Sequence, residues 1–352
     1  MPHQRLLLKL QACGIEGQLL EWLKAFLTDR RQRVTVNGAK SDWVPVTSGV
    51  PQGTVLGPLL FLVYINDLPD IVSSPVKMFA DDMKLYRSVC QTPDTQALQR
   101  DLDLLFEWSE LWQLPFNLAK CRSLHFGRRN AAHSYHMGGA ELTQVLVEKD
   151  LGVQIDHQLK FREQAASAIS RASHVLAVIR RSFSVIDETT LPLLFRTMVR
   201  PHLEYANVVW GPFNRDDQKR IERVQRRATK LVASIRELPY EARLRSLNLP
   251  SLYYRRRRGD MIMVYQVLRG VVDVDASQFF SAATTSQTRG HLWKLSKSRA
   301  VSRVRRNAFS IRVINDWNAL PSTVVEAPSI DSFKARLDRH WARLTYATHP
   351  ND

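Results

Sequence analysis

Of 352 residues only three are cysteine: Cys13, Cys90 and Cys121, an odd number at wide spacings. That excludes a disulfide framework and points to reduced thiols in an intracellular protein, nuclear or cytoplasmic rather than secreted, with no disulfide partner. No Cys/His cluster has zinc spacing, and His133 with His136 reads as a solvated loop. Long apolar runs are missing as well. The best, Val55 to Ile65, is interrupted by Gly57-Pro58 and falls far short of the ~20 residues that cross a bilayer, so no membrane partner is expected. The first residues lack the basic, apolar and small-residue order of a secretory signal. The last shortage is acidic charge. Against 50 Lys+Arg stand 34 Asp+Glu, giving a net charge of +16, and such an excess favours a polyanionic partner.

An apolar fraction of 44% is ordinary for a globular chain, and the length allows two or three domains. The charge is unevenly placed. Arg215 to Arg258 holds 14 basic and 5 acidic residues, and Arg289 to Arg312 holds 8 basic and none acidic. The remainder of the chain is close to neutral, so the basic surface belongs to the C-terminal half.

Glycines punctuate two short opening helices, "QRLLLKLQACG" and "GQLLEWLKAFLTD". A hairpin follows, "RQRVTVNGAKSDWVPV", turning at Asn37-Gly38. The turn "TSGVPQGT" leads into an apolar helix from about Val55 to Asn66. A long amphipathic helix is predicted from about Thr95 to Leu114, with Leu98, Leu102, Leu105 and Leu111 on its apolar side. Short strands are expected at "SLHF" and between "HSYHM" and "LGVQID". Beyond Phe161 the period becomes helical, with helices expected over 161–182, 188–208, 216–234, 251–270, 306–319 and 329–344. Asp273 to Arg289 reads as a loop.

Between the apolar helix and the amphipathic one lies "KMFADDMKLY", Lys77 to Tyr86, with two adjacent aspartates at the tip of a mostly apolar hairpin. Asp is a common turn residue because it caps its own backbone, and that bland reading covers most Asp-Asp turns. The other reading is that a tight turn holds carboxylates on a rigid sheet, where a hard divalent cation can use them.

The stretch "SGVPQGTVLGPLLFLVYINDLP" followed by "FADD" resembles the palm of a reverse transcriptase, and most closely that of LINE-type (non-LTR) retrotransposons. "EKDLGVQID" resembles the next motif of that family, the primer grip. "RPHLEYANVVWGP" and "IERVQRRATKLV" resemble its thumb-like helices. The resemblance implies an α+β fold: a partial palm with an antiparallel sheet and helices over 1–156, a helical thumb-like region over 157–235, and a basic helical region over 236–352. It implies RNA-directed DNA polymerisation by two-metal nucleotidyl transfer, with an RNA template, a DNA primer and dNTPs as partners and Mg²⁺ or Mn²⁺ as cofactor of the complete enzyme. Asp81 is then the metal ligand and Asp82 its support, both counted as catalytic. Gly49, Pro51, Gln52, Gly53, Phe79 and Ala80 would line the nucleotide and template, and Leu151 and Gly152 would form the primer grip.

In the second half, Lys219, Arg223, Arg226 and Lys230 fall on one face of a helix whose opposite face carries Ile221, Val224, Ala228 and Leu231. "YYRRRRGD" sets Arg255, Arg256, Arg257 and Arg258 beside two tyrosines. Both read as nucleic-acid backbone contacts, against the plainer readings of a solvated face or an import-like patch. No acid precedes Pro2. The resemblance therefore implies that the first catalytic aspartate and the fingers lie outside this sequence, and that the chain alone is inactive. The competing reading is a non-enzymatic nucleic-acid-binding remnant of a retrotransposon.

Overall fold

The computed structural model describes residues 1–127, 130–212, 214–283 and 291–348. Residues 284–289 of the expected loop lie outside them. The chain separates into two compact units, Met1–Leu146 and Val147–Asp352, and the fold is α+β.

The first unit opens with α1 (His3–Ala12) and α2 (Gly17–Leu27). Leu6, Leu10, Leu20, Leu23 and Leu27 recur at helical spacing and are buried. Next comes a ribbon in which β1 (Arg31–Gln32) pairs with β4 (Val44–Pro45), and β2 (Thr35–Val36) with β3 (Ala39–Lys40). Its turn is at Asn37-Gly38, both at positive φ, as the sequence predicts. Helix α3 (Leu56–Ile65) buries Leu60 and Tyr64 against the same core. Strands β5 (Val76–Phe79) and β6 (Asp82–Leu85) make the Asp hairpin, and α4 (Thr92–Leu111) closes the unit together with β7 (Arg122–Leu124), β8 (His136–Met137), β9 (Ala140–Glu141) and β10 (Thr143–Val145).

On α4 the expected stripe is right at Leu98, Leu102 and Leu105, but Leu111 is exposed. The inward face drifts at 3.6 residues per turn, so Trp108 takes the place expected of Leu111. Lys9 of α1 is enclosed by the rings of Tyr64, Trp108 and Trp112, its Nζ 5.1, 4.6 and 3.9 Å from their centroids. It donates to Tyr64 O at 2.6 Å and Asp67 Oδ1 at 2.5 Å. This internal cation ties α1 to α3 and α4.

The sheets differ from the sequence expectation of an antiparallel palm sheet. Among the described residues each holds two strands, and β10 pairs with β7 in parallel. The β8–β9 hairpin lies between those two strands in sequence and lets the chain re-enter in the same direction.

The second unit begins with the hairpin β11 (Val147–Asp150) and β12 (Val153–Asp156), followed by α5 (Arg162–Ser182). The helix expected over 188–208 is α6 (Thr190–Leu194), a π-helical turn (Phe195–Val199), α7 (Arg200–Glu204) and α8 (Asn207–Trp210). Pro201 has no N–H to donate, which accounts for the irregularity there. Then come α9 (Arg215–Thr229), α10 (Tyr240–Ser246) and α11 (Leu252–Leu268). The helix expected over 306–319 is three short pieces, α12 (Arg303–Asn307), α13 (Phe309–Arg312) and α14 (Ile314–Asn318), the extended Ala308 separating the first two. The chain ends with α15 (Ser322–Val325) and α16 (Ile330–His340). Helices α10 and α15 escape the sequence reading, although each follows a proline at its N-cap, Pro239 and Pro321. Two cores hold the unit. One gathers α5, α9 and the π-helical turn around Ala172, Phe195, Ile221 and Val224, and the other gathers α11, α14 and α16 around Val264, Trp317 and Phe333.

Candidate functional site

Phe79 pairs with Asp82 across the hairpin, so its tip is the two-residue turn Ala80-Asp81 and Asp82 already belongs to β6. Ala80 sits at φ 51°. Val76, Met78, Met83 and Leu85 are half-buried, while Lys77, Phe79, Asp81 and Asp82 face solvent. This alternation anchors the hairpin by one face and leaves both carboxylates accessible beside an exposed aromatic ring.

The base of the hairpin is clamped by a residue that the sequence does not advertise. Asp101 of α4 is buried, and its carboxylate accepts from Ser73 N and Ser74 N, both at 2.9 Å, and from Ser73 Oγ. Arg87, just beyond β6, donates to Ser74 Oγ and Ser73 Oγ and lies 3.7 Å from Asp101 Oδ2. Burial opposes ionisation of Asp101, but these donors hold its carboxyl below the usual aspartate range. Both ends of the β5–β6 hairpin are thereby tied to one helix.

The turn before α3 is equally constrained. Gly49 N donates to Met1 O at 2.8 Å, and Gly49 O lies 2.8 Å from His3 Nε2. Thr54 Oγ1 donates to Pro51 O at 2.8 Å and accepts from Gly57 N at 3.1 Å. A Cβ on Gly57 would sit 2.9 Å from Pro51 O, so only glycine lets the helix start this close to the turn. Gln52 and Gly53 are exposed and Pro51 is half-buried.

In the second unit Leu151 and Gly152 form the turn of the β11–β12 hairpin, at φ 43° and 85°. Tyr205 covers it. Its hydroxyl donates to Leu151 O at 2.8 Å, and a Cβ on Gly152 would lie 3.2 Å from its ring.

Helix α9 has the amphipathic division expected of it. Ile221, Val224 and Ala228 are fully buried, while Lys219, Arg220, Arg223, Arg226, Arg227 and Lys230 are exposed. Together with Ile169 of α5, Arg220, Arg223, Arg226, Arg227 and Lys230 line an open groove of about 350 Å³; Lys219 lies outside it. Arg227 Nη2 donates to Ser173 Oγ at 2.7 Å, Arg226 stacks 4.5 Å from the Tyr240 ring, and Arg220 pairs with Asp217 at 3.2 Å. Beneath this face Glu222 is buried and accepts from Tyr240 Oη at 2.7 Å. Burial raises its pKa, with Arg256 opposing.

The arginine run on α11, expected from the sequence to meet phosphates, has partners inside the fold. Arg255 forks onto Glu204, Arg257 onto Asp316 and Arg258 onto Asp338, with contacts between 2.5 and 2.9 Å. Arg256 is buried, near Glu222 and Asp260. Arg255, Arg257 and Arg258 thus tie α11 to α7, α14 and α16 through acids that are distant in sequence. The β1–β4 ribbon, expected from the sequence as a hairpin with no assigned role, also carries Arg30, Arg31, Arg33 and Lys40 beside Trp43.

Among the described residues no group of three or more His, Cys, Asp or Glu is placed to hold a metal, and no helix is long and apolar enough to cross a membrane. Asp81 and Asp82 present two adjacent, exposed carboxylates at the hairpin tip. That suits Mg²⁺, which is bound through one or two carboxylates and completes its shell with water and substrate phosphates.

Residues 1–163 match the family model described as reverse transcriptase (RNA-dependent DNA polymerase). The chain is 30% identical over 264 residues to the RNA-directed DNA polymerase from mobile element jockey of Drosophila funebris, an alignment covering 70% of this chain and 28% of that protein. It is 29% identical over 245 residues to the Drosophila melanogaster jockey polymerase, covering 65% of the chain and 26% of the relative. The probable RNA-directed DNA polymerase from transposon X-element of Drosophila melanogaster is 29% identical over 223 residues, covering 60% and 24%. The chain thus spans less than a third of the length of these curated relatives.

Proposed function

From the premise that this chain belongs with the reverse transcriptases of LINE-type (non-LTR) retrotransposons, we propose that it supplies two surfaces to an RNA-directed DNA polymerase. One is the aspartate-bearing hairpin and glycine turn of the first unit. The other is the basic groove on α9. The observation that carries this reading is the Ala80-Asp81 turn, an exposed carboxylate at the end of a hairpin anchored by its apolar face and clamped through Asp101.

Asp81, with Asp82 in support, would hold a Mg²⁺ or Mn²⁺ ion, which when bound would offset charge on the transferring phosphoryl group. The tight turn fixes the direction in which Asp81 presents its oxygens. Gly49, its N–H and C=O engaged by Met1 and His3, shapes the turn, and the open space at Gly53 admits close approach by nucleotide or template, with Pro51, Gln52, Phe79 and Ala80 beside it. Leu151 and Gly152 offer a braced turn to the primer end. Lys219, Arg223, Arg226 and Lys230 take phosphates of the RNA template and DNA primer without reading their sequence.

Directed cleavage tests the metal assignment. Fe²⁺ with ascorbate and peroxide should cut the purified chain around Ala80–Asp82, Mg²⁺ should compete, and the double change Asp81→Asn, Asp82→Asn should abolish the cuts. Millimolar Mn²⁺ should also raise the Tm of the wild type slightly, while the double variant, relieved of two adjacent like charges, is more stable without metal and indifferent to it. Cuts or a Tm response that persist unchanged in the double variant would move the cation elsewhere.

A further inference from the structure

The ribbon of the first unit is the least covered part of the fold. Every residue from Arg31 to Pro45 is exposed. Four of them are large and apolar: Val34 at 65%, Val36 at 61%, Trp43 at 54% and Val44 at 54% of full exposure. The ribbon keeps its shape through backbone pairing. Ser41 N donates to Val34 O at 2.9 Å, Val34 N to Ser41 Oγ at 2.9 Å, and Val46 N to Arg30 O at 2.8 Å. Two-stranded ribbons without a packed face are marginal in water, and one that also exposes tryptophan and three valines gains from a partner.

Charge narrows the choice. Arg30 to Val46 contains four basic residues and one acid, Asp42, in a half of the molecule that is otherwise near neutral. Arg31 lies in the β1–β4 pair, Lys40 in the β2–β3 pair and Arg33 between the two pairs, so the three cations are spread along one exposed ribbon. The Arg33 guanidinium lies 4.5 Å from the centre of the Trp43 ring. A planar cation against an indole, flanked by further cations, is chemistry suited to a chain of phosphates and aromatic bases.

We propose that this ribbon is a binding surface for single-stranded nucleic acid, distinct from the Asp81 hairpin and from the α9 groove. Bases stack on Trp43 and on the Arg33 plane, and Arg31, Arg33 and Lys40 meet the phosphates. An unpaired strand is favoured over a duplex because stacking needs free base faces, which a duplex hides in its own stack. Sequence preference should be slight, since every base has such a face.

The experiment uses the full chain and fluorescent 20-nucleotide oligo(U) and oligo(dT), titrated by anisotropy at several salt concentrations. Trp43→Ala should weaken binding about tenfold, and Trp43→Phe should recover most of the loss. The triple change Arg31→Gln, Arg33→Gln, Lys40→Gln should flatten the slope of log K against log salt by about 2. Both losses should persist when Lys219, Arg223, Arg226 and Lys230 are all replaced by Gln, which separates this surface from the groove. Oligonucleotides containing 4-thiouridine should crosslink within residues 31–45. Because the ribbon is exposed, the Tm of each variant should equal that of the wild type, and Trp43→Phe controls for any local loss of shape. Absence of single-strand binding by the wild type overturns the proposal. So do unchanged affinity and salt slope in the Trp43→Ala and triple variants. A Trp43→Ala protein that changes its oligomeric state but not its affinity would make the ribbon a self-association surface and overturn it too.

Discussion

Asp101 governs a position it does not touch. It binds the backbone on one side of the β5–β6 hairpin and approaches Arg87 on the other, so the direction of Asp81 depends on a carboxylate buried in α4. Its folded pKa is depressed. The stability it contributes is therefore fully present above the unfolded aspartate pKa of about 3.9 and is lost as pH falls through the lower folded value. Asp101→Asn should cost about 2–4 kcal/mol at pH 7, as expected when one member of a buried hydrogen-bonded network is removed. Urea melts should show the gap between variant and wild type narrowing below about pH 4, and a gap that is constant with pH would mean that Asp101 acts through packing alone. The sequence displays Asp81 and Asp82 because they are adjacent and framed by a strand pattern. Asp101 is silent because Ser73, Ser74 and Arg87 reach it only after folding, and an acid on an amphipathic helix ordinarily faces water.

At the scale of elements, α9 and α11 show why basic clusters must be read by period as well as by count. On α9 the cations repeat at helical spacing opposite Ile221 and Val224, and the fold leaves them exposed. On α11 four consecutive arginines must point all round the helix, so the core side has to neutralise those it receives. Glu222 and Asp260 lie near the buried Arg256, and Glu204, Asp316 and Asp338 pair with the part-buried Arg255, Arg257 and Arg258 from other helices. Periodicity of Ile221, Val224 and Ala228 was enough to orient α9, whereas nothing local marks the partners of Arg255, Arg257 and Arg258. Arg257→Gln should lower stability by about 1–3 kcal/mol, because it leaves the Asp316 carboxylate without its fork. Its nucleic-acid affinity at any salt concentration should match that of the wild type. Chemical denaturation and anisotropy on the same preparation check both halves, and a weakened affinity with unchanged stability would return this run to the binding surface.

At the scale of the whole molecule, the order of helices and hairpins was legible because periods of two and 3.6 alternate clearly along the chain. The size of the sheets was not, since strand pairing depends on long-range register that no local pattern carries. Charge follows the same division. The excess was visible from composition, but which cations remain available depends on which acids the fold brings to them. With Arg255–Arg258 committed internally, the exposed cations in and beside the groove are Lys219 and the five that line it. If each meets one phosphate of a duplex, counterion release sets the slope of log K against log salt near about −5. RNA duplex and RNA–DNA hybrid should then bind alike, because backbone contacts position without specifying. Replacing Lys219, Arg223, Arg226 and Lys230 by Gln should flatten the slope by about 3 to 4. The buried face of α9, with Ile221, Val224 and Ala228 untouched, should keep the helix packed, the Tm falling only by what the Arg226–Tyr240 stack contributes. Arg220 and Arg227, which stay exposed although bonded to Asp217 and Ser173, should supply what slope remains. Duplex titrations from low to moderate salt decide it. A wild-type slope near zero, or one that survives the quadruple change, would mean that this face is only solvated and that the duplex is held elsewhere.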